Sequence, residues 1–142
     1  MIPKKRRQAR ILALQVLYAW QISKNNLITQ IKKFILKKTR IFYIDEIYFH
    51  EIISGVIDNV IYLDKLISPV CQKIYKKLDC IEKNILRISS YEIFKRTDIP
   101  YKVTINEGIE LAKIFGSCTS HKFINGVLDS ILLIKKKKHK KN

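Results

Sequence analysis

Three arginines, Arg6, Arg7 and Arg10, fall within five residues near the start of the chain. Only six arginines occur among 28 basic residues, so the cluster stands out against a lysine-dominated background. A guanidinium presents a planar fork of donors suited to phosphate and base edges, which an ammonium does not. On a helix the three span an arc of about 100° that continues the apolar stripe of Ile11, Leu14, Leu17 and Tyr18, with Ala13 beside it. The arginines are therefore expected past the edge of the core. They oppose the helix dipole, which favours acidic residues in a first turn by about 0.3–1 kcal/mol. A local rule broken without visible compensation marks a place for function; a solvated basic arm is the plainer reading. Tyr18 is either a core aromatic or a ring that meets nucleic acid.

A second group lies in PYKVTINEGIELAKIFGSCTSHKFINGVLD, residues 100–129. Thr104 followed by Glu107 has the form of a capping box. Ile105, Ile109, Ala112 and Phe115 recur at helical spacing, and Gly116 is placed for a left-handed stop. Ser117, Thr119 or Ser120 can cap a following helix that carries Phe123, Ile124, Val127, Leu128 and Ile131, with Phe123 expected to be exposed. Free amides at that helix start, with Lys122 and Phe123 beside them, can hold a phosphate and stack a base. An ordinary helical corner has the same pattern.

The elements that must position these groups are helices. The 142 residues fit one domain, and a 47% hydrophobic content supports a core. Four glycines and three prolines supply too few turns for an all-β fold. The prediction is an all-α compact bundle of six or seven helices, residues 1–134, followed by a disordered lysine-rich tail at 135–142. After the first helix, Asn25 or Asn26 caps a second that runs to about Lys37, with Leu27, Ile31, Phe34 and Ile35 inward. Thr39 to Ile44 reads as a connection. Asp45 opens a long tract with Ile47, Ile52, Val56, Val60 and Leu63 inward, ended by Ser68-Pro69, with Gly55 a close contact or a break. A short helix from Val70 to Leu78 buries Ile74 and Leu78. Asp79 and Glu82 cap the next helix, which carries Ile81, Ile85, Ile88 and Tyr91 and stops near Arg96.

The net charge of +16 calls for an anionic partner, nucleic acid before membrane surface, although a Lys-, Ile- and Asn-rich composition of the AT-rich kind adds lysines without function. Cys71, Cys80 and Cys118 have no CxxC spacing, and the Cys118–His121 pair has no second half, so neither disulfide nor metal is indicated. Reduced thiols fit a cytoplasmic protein. The basic start followed by ILALQVLYAW imitates a signal peptide, but Gln15 interrupts the run and no cleavage site follows. Phosphate-loop, dinucleotide, nucleophile-elbow and HExxH patterns are all missing. Glu107 goes to capping, Glu110 to surface charge, and His50 to a polar face. The expectation is no enzyme and no cofactor.

The chain resembles the NusB family of bacterial transcription antitermination factors. The likeness runs from RRQAR and ALQVLYAWQIS, through YFHEIISGV and YLDKLI, to IEKNILRISSYEIFKR and the 100–129 segment. It is weakest over residues 25–44. The resemblance implies two helical sub-bundles, no catalysis, and binding of the boxA element of ribosomal RNA leaders. Binding occurs with NusE, a small-subunit ribosomal protein, within an RNA polymerase antitermination complex. It also implies that Arg6, Arg7, Arg10, Tyr18, Lys122 and Phe123 bind RNA on one surface, with Lys4 and Lys5 flanking the arginines. An exposed Glu82 is the candidate for meeting the basic partner. Relatives of this kind are monomers or dimers. Gln8 departs from the basic run, and Thr119 stands where some relatives have an acidic residue. Two other readings remain: the RNA-binding module of a ribosomal RNA methyltransferase lacking its catalytic part, and a basic amphipathic protein on anionic membranes.

Overall fold

The computed structural model describes residues 2–24, 28–37, 44–117 and 119–140. Among them are seven α-helices and no strand: α1 (Ile2–Ile22), α2 (Ile28–Lys37), α3 (Glu46–Asp58), α4 (Val60–Cys71), α5 (Cys80–Lys95), α6 (Tyr101–Phe115) and α7 (Ser120–Lys140). A 3-10 helix, Gln72–Lys77, joins α4 to α5. The chain divides into two compact units, Met1–Asp58 and Asn59–Asn142, as expected of two sub-bundles.

In the first unit α1 packs on α2 and α3. Ala9, Leu12, Ala13, Leu14, Val16, Leu17 and Trp20 of α1 meet Tyr48, Phe49, Ile52, Ile53 and Val56 of α3 in a closed apolar layer. The α3 stripe carries Ile52 and Val56 inward as its sequence reading expects and departs from it at the first turn. Ile47 is 84% exposed, while Tyr48 and Phe49 are buried. Asp45 sets this register, because its carboxylate accepts the Tyr48 amide at 3.0 Å and so caps the helix. Phe34 of α2, expected inward, is exposed. The candidate caps Asn25 and Asn26, Leu27, and most of the Thr39 to Ile44 connection lie outside the described residues.

The long tract expected from Asp45 to Ser68 is two helices. It breaks at Asn59, whose carbonyl accepts the Leu63 amide at 2.8 Å and starts α4; Gly55 lies within α3. Nor does Pro69 end α4. The helix carries it without the i→i−4 hydrogen bond that its missing amide would make, and the stop falls at Gln72 (φ 55°), whose amide bonds back to the Ser68 carbonyl. The following turn winds with a period of three, so Tyr75 and Leu78 share the inner side and Ile74 is left exposed.

The second unit is built around α5, which packs against α4, α6 and α7. Ten consecutive residues from Asn84 to Ile93 are buried, polar ones included. Burial of a charge requires partners, and Arg87 has them. Its Nε and Nη2 donate to the two Asp64 carboxylate oxygens at 2.9 Å each, and Nη1 donates to Asn84 at 3.1 Å. The Tyr75 hydroxyl donates to the same Asp64 carboxylate at 2.6 Å. Burial opposes the Arg87 charge, but Asp64 and Tyr75 more than offset it, so its pKa is raised.

Helix α6 starts behind Pro100, whose carbonyl accepts the Val103 and Thr104 amides. The capping box expected at Thr104 and Glu107 is thereby corrected: both residues lie inside α6 on its buried face, with Gly108, Leu111 and Ala112. Ile105 and Ile109 are only half-buried as a result. The lysine run expected to be a disordered tail from residue 135 continues α7 to Lys140, where cationic side chains suit the negative end of the helix dipole.

A Cβ at Gly108 would lie 2.7 Å from Ser89 Oγ and 3.0 Å from Leu128 Cδ1, so α5, α6 and α7 meet so closely that an added methyl group displaces these side chains. At Gly126 a Cβ meets nothing within 4 Å. Gly108→Ala is therefore expected to destabilise by about 1–3 kcal/mol through overpacking. Gly126→Ala should gain up to about 1 kcal/mol of helix propensity. Urea unfolding of the pair measures both, and equal effects would contradict this packing.

Candidate nucleic-acid interface

The first candidate site forms where α1 begins and the start of α3 docks against it. The Asp45 amide donates to the Lys5 carbonyl at 3.2 Å. Beside this clasp the Tyr48 ring, itself buried, lies under two guanidinium groups: Arg6 Cζ is 4.7 Å and Arg10 Cζ 5.4 Å from its centroid. Arg6 Nε also stands 3.8 Å from Asp45 Oδ2, an ion-pair rather than a hydrogen-bond distance. The three arginines thus separate by environment. Arg10 is 2% exposed, Arg6 is half-buried and Arg7 is exposed, as are Lys4 and Lys5. Sequence reasoning put all three beyond the core edge. The structure buries Arg10, because a residue four positions after Arg6 and three before Ala13 shares the face that packs on α3.

Tyr18 is 41% exposed, so the stripe assigned to it is corrected. Eleven residues make just over three whole turns, which sets Arg7 and Tyr18 on one face about 16 Å apart along α1. Lys4 and Gln15, also exposed, lie on that face. Sequence reading missed Asp45 as a clasp and Tyr48 as the floor beneath the guanidinium groups. The spacing of Asp45 from Tyr48, a cap and its third residue, was the available signal.

The second candidate site is the corner between α6 and α7, within the other unit. Gly116 is extended (φ −89°, ψ −179°), so the expected left-handed stop does not occur. Glycine is needed there for space: a Cβ would come within 2.7 Å of the Ala112 carbonyl and of Ser120 Cβ. Ser120 is buried and central. Its Oγ accepts the Ser117 amide at 3.0 Å, lies 2.9 Å from Ser117 Oγ, and donates to Glu82 Oε2 at 3.2 Å. The first turn of α7 then presents an exposed Lys122, a half-buried Phe123 and a half-buried His121, next to an exposed Thr119. Cys118 lies outside the described residues, and so does any account of its pairing with His121.

Glu82, expected exposed on α5, is half-buried and holds this corner. Asp79 caps α5 by accepting the Glu82 amide at 2.8 Å, as expected. The Glu82 pKa is raised, first by desolvation and then by the Asp79 charge, with the Ser120 bond acting the other way. His50 sits 3.6 Å from Glu46 Oε1 on the outer side of α3. Among the described residues there is no group of three or more His, Cys, Asp or Glu placed to hold a metal ion. No helix among them is long and apolar enough to cross a membrane.

Cationic and aromatic side chains carried on helix starts, in an all-helical basic chain, define a small protein of the nucleic-acid-binding class. The NusB family model matches residues 7–133, and the chain belongs to that family. It is 56% identical to the transcription antitermination protein NusB of Buchnera aphidicola from Cinara cedri, covering 90% of each chain. It is 48% identical to the protein of that name from Escherichia coli, covering 91% of this chain and 92% of the other. Among solved structures, Thermotoga maritima NusB superposes with a TM-score of 0.79 at 32% identity, over 89% of each chain. A crystal structure of the antitermination factors NusB and NusE with double-stranded RNA shares the fold, with a TM-score of 0.77 at 21% identity over 90% of this chain and 96% of that one.

Folding raises the proton affinity of Glu82, so its stability contribution is present below the ordinary carboxylate pKa and lost as pH rises through the folded value. Glu82→Gln should therefore gain on the parent chain as pH rises from the ordinary carboxylate range towards neutrality. Urea midpoints across that range measure the difference, and a pH-independent one would show that the carboxyl is not desolvated.

Proposed function

We propose that this chain is a non-enzymatic transcription antitermination factor that binds boxA RNA together with NusE. In this reading the heterodimer joins the RNA polymerase antitermination complex in the cytoplasm and supports ribosomal RNA transcription and maturation. The observation that carries the reading is the division of labour at the two helix starts in a chain of this family. Buried groups (Arg10, Tyr48, Ser120) fix the backbone, while exposed ones (Lys4, Lys5, Arg7, Lys122) stay available to phosphates. Phe123 and Tyr18 keep enough exposure to stack on unpaired bases. Arg6, half-buried over Tyr48, is a contact held in a set direction; Arg10 positions it and the arm.

Glu82 is the proposed point of contact with NusE, and it would link partner and RNA corner through Ser120. Relatives named as antitermination proteins at 48% and 56% identity support the function. So does the solved complex of NusB, NusE and RNA on the same fold. Chain and relative match over 90% of each, which favours an antitermination role over that of a methyltransferase module.

The test is RNA binding with and without NusE, at two salt concentrations, using a boxA-like strand and a scrambled strand of equal length. A preference for boxA that NusE sharpens is expected. Phe123→Ala should weaken boxA binding by about 1–3 kcal/mol if its ring stacks on a base. Arg7→Ala should weaken it and lower the salt slope by about 0.7. Thr119→Asp should also reduce affinity, because a carboxylate there competes with phosphate for the α7 amides. Equal affinity for both strands with NusE present contradicts the proposed function.

A further inference from the structure

The other end of α7 carries a feature that this reading leaves unused. Tyr62 of α4 and Phe94 of α5 meet edge to face, with centroids 6.2 Å apart and planes at 90°. Three ammonium groups lie over these rings. Lys95 Nζ is 5.4 Å from the Tyr62 centroid, and Lys135 and Lys138 are 5.2 and 5.9 Å from that of Phe94. Tyr62 is 39% exposed. Lys136 and Lys137 are exposed beside them. None of the ion pairs found among the described residues uses these ammonium groups.

Like charges three or four apart on a helix repel, whereas the face of an aromatic ring attracts an ammonium group. The rings therefore favour these lysine positions without neutralising their charge. A single small anion needs one or two such groups. A row of cations flanked by partly exposed rings matches a polymer that carries both phosphates and bases. Helix α7 links this row to the Lys122 and Phe123 corner: Lys135 lies thirteen residues after Lys122, about 20 Å along the axis. That length corresponds to about six nucleotides at a stacked rise of about 3.4 Å.

We propose that Lys95, Lys135 and Lys138, seated on Tyr62 and Phe94, form a second contact surface for single-stranded RNA. It takes the stretch that flanks the element bound at the α6–α7 corner. The inference rests on the RNA-binding reading above. It predicts that affinity grows with RNA length in a salt-dependent way.

The experiment compares two RNAs on the full chain with NusE: a boxA-like strand alone, and the same strand extended by ten uridines at either end. The variant is the triple substitution Lys95→Gln, Lys135→Gln and Lys138→Gln, with the triple arginine variant as conservative rescue and circular dichroism as a check on folding. On the extended RNA the glutamine variant should lose about 2 from the slope of log affinity against log salt, since each phosphate contact on a single strand contributes about 0.7. The wild-type advantage would then shrink about 16-fold between about 50 and 200 mM salt. The short RNA should be unaffected and the arginine variant should behave as wild type. Equal losses on both RNAs, or none on either, overturn the proposal. So does a loss confined to phosphatidylserine vesicles, which would make the surface a membrane contact. Failure of the RNA-binding reading itself would appear separately, as wild-type protein that does not prefer the short boxA strand to its scrambled form.

Discussion

Three arginines at the start of a helix repel one another and oppose its dipole, and the Tyr48 ring makes the arrangement tolerable. It lies under Arg6 and Arg10, and a cation over a desolvated ring gains up to about 2 kcal/mol. Asp45 adds a nearby negative charge, caps α3 so that Tyr48 faces inward, and ties its own amide to Lys5. One short segment thereby sets the register of α3, the seat of the arm and the direction of Arg6. Without it the basic arm would be a mobile cluster of charge, able to attract RNA but poor at orienting it.

The second unit solves a similar problem with different chemistry. Its central helix buries Arg87, a choice that is stable only because Asp64 and Asn84 accept from the guanidinium, while Tyr75 donates to the same Asp64 carboxylate. At the start of the same helix a carboxylate is spent on geometry: Glu82 accepts from Ser120 and so ties α5 to the corner that displays Lys122 and Phe123. The cost appears in its raised pKa. In both units an acidic residue just before or within the first turn of one helix organises cationic or aromatic groups on another. The exposed groups proposed to meet RNA stand on backbone that these contacts already fix, and pre-ordering of that kind reduces the entropy lost on binding.

Much of this was legible in the sequence. Helical periodicity placed α1, α5 and α7, and the cap at Asp79 fell where expected. Arg6, Arg7, Lys122 and Phe123 could be singled out because residue type and helix position together depart from what a core or a plain surface needs. Register was harder to read. Ile47 and Tyr48 are both apolar neighbours at an amphipathic boundary, and only the Asp45 cap decides which turns inward. The box at Thr104 and Glu107 misled because Pro100 can also open a helix, which places both residues inside α6 on its buried face. The burial of Arg10 and the pairing of Arg87 with Asp64, 23 positions apart, depend on tertiary contacts that no local spacing encodes. The lysine run read as disorder because charge alone gives a helix nothing to pack; the ring of Phe94, under Lys135 and Lys138, supplies it.

The central claim is that the Tyr48 ring organises the arginine arm for RNA. It is tested most directly by measuring boxA affinity for Tyr48→Leu and Tyr48→Phe beside the parent chain, with thermal unfolding to confirm that each variant is folded. Loss of the ring should weaken binding about tenfold, equivalent to about 1.4 kcal/mol, while the phenylalanine variant, which keeps the ring face, should bind nearly as the parent does. Unchanged affinity in a folded Tyr48→Leu protein would contradict the account.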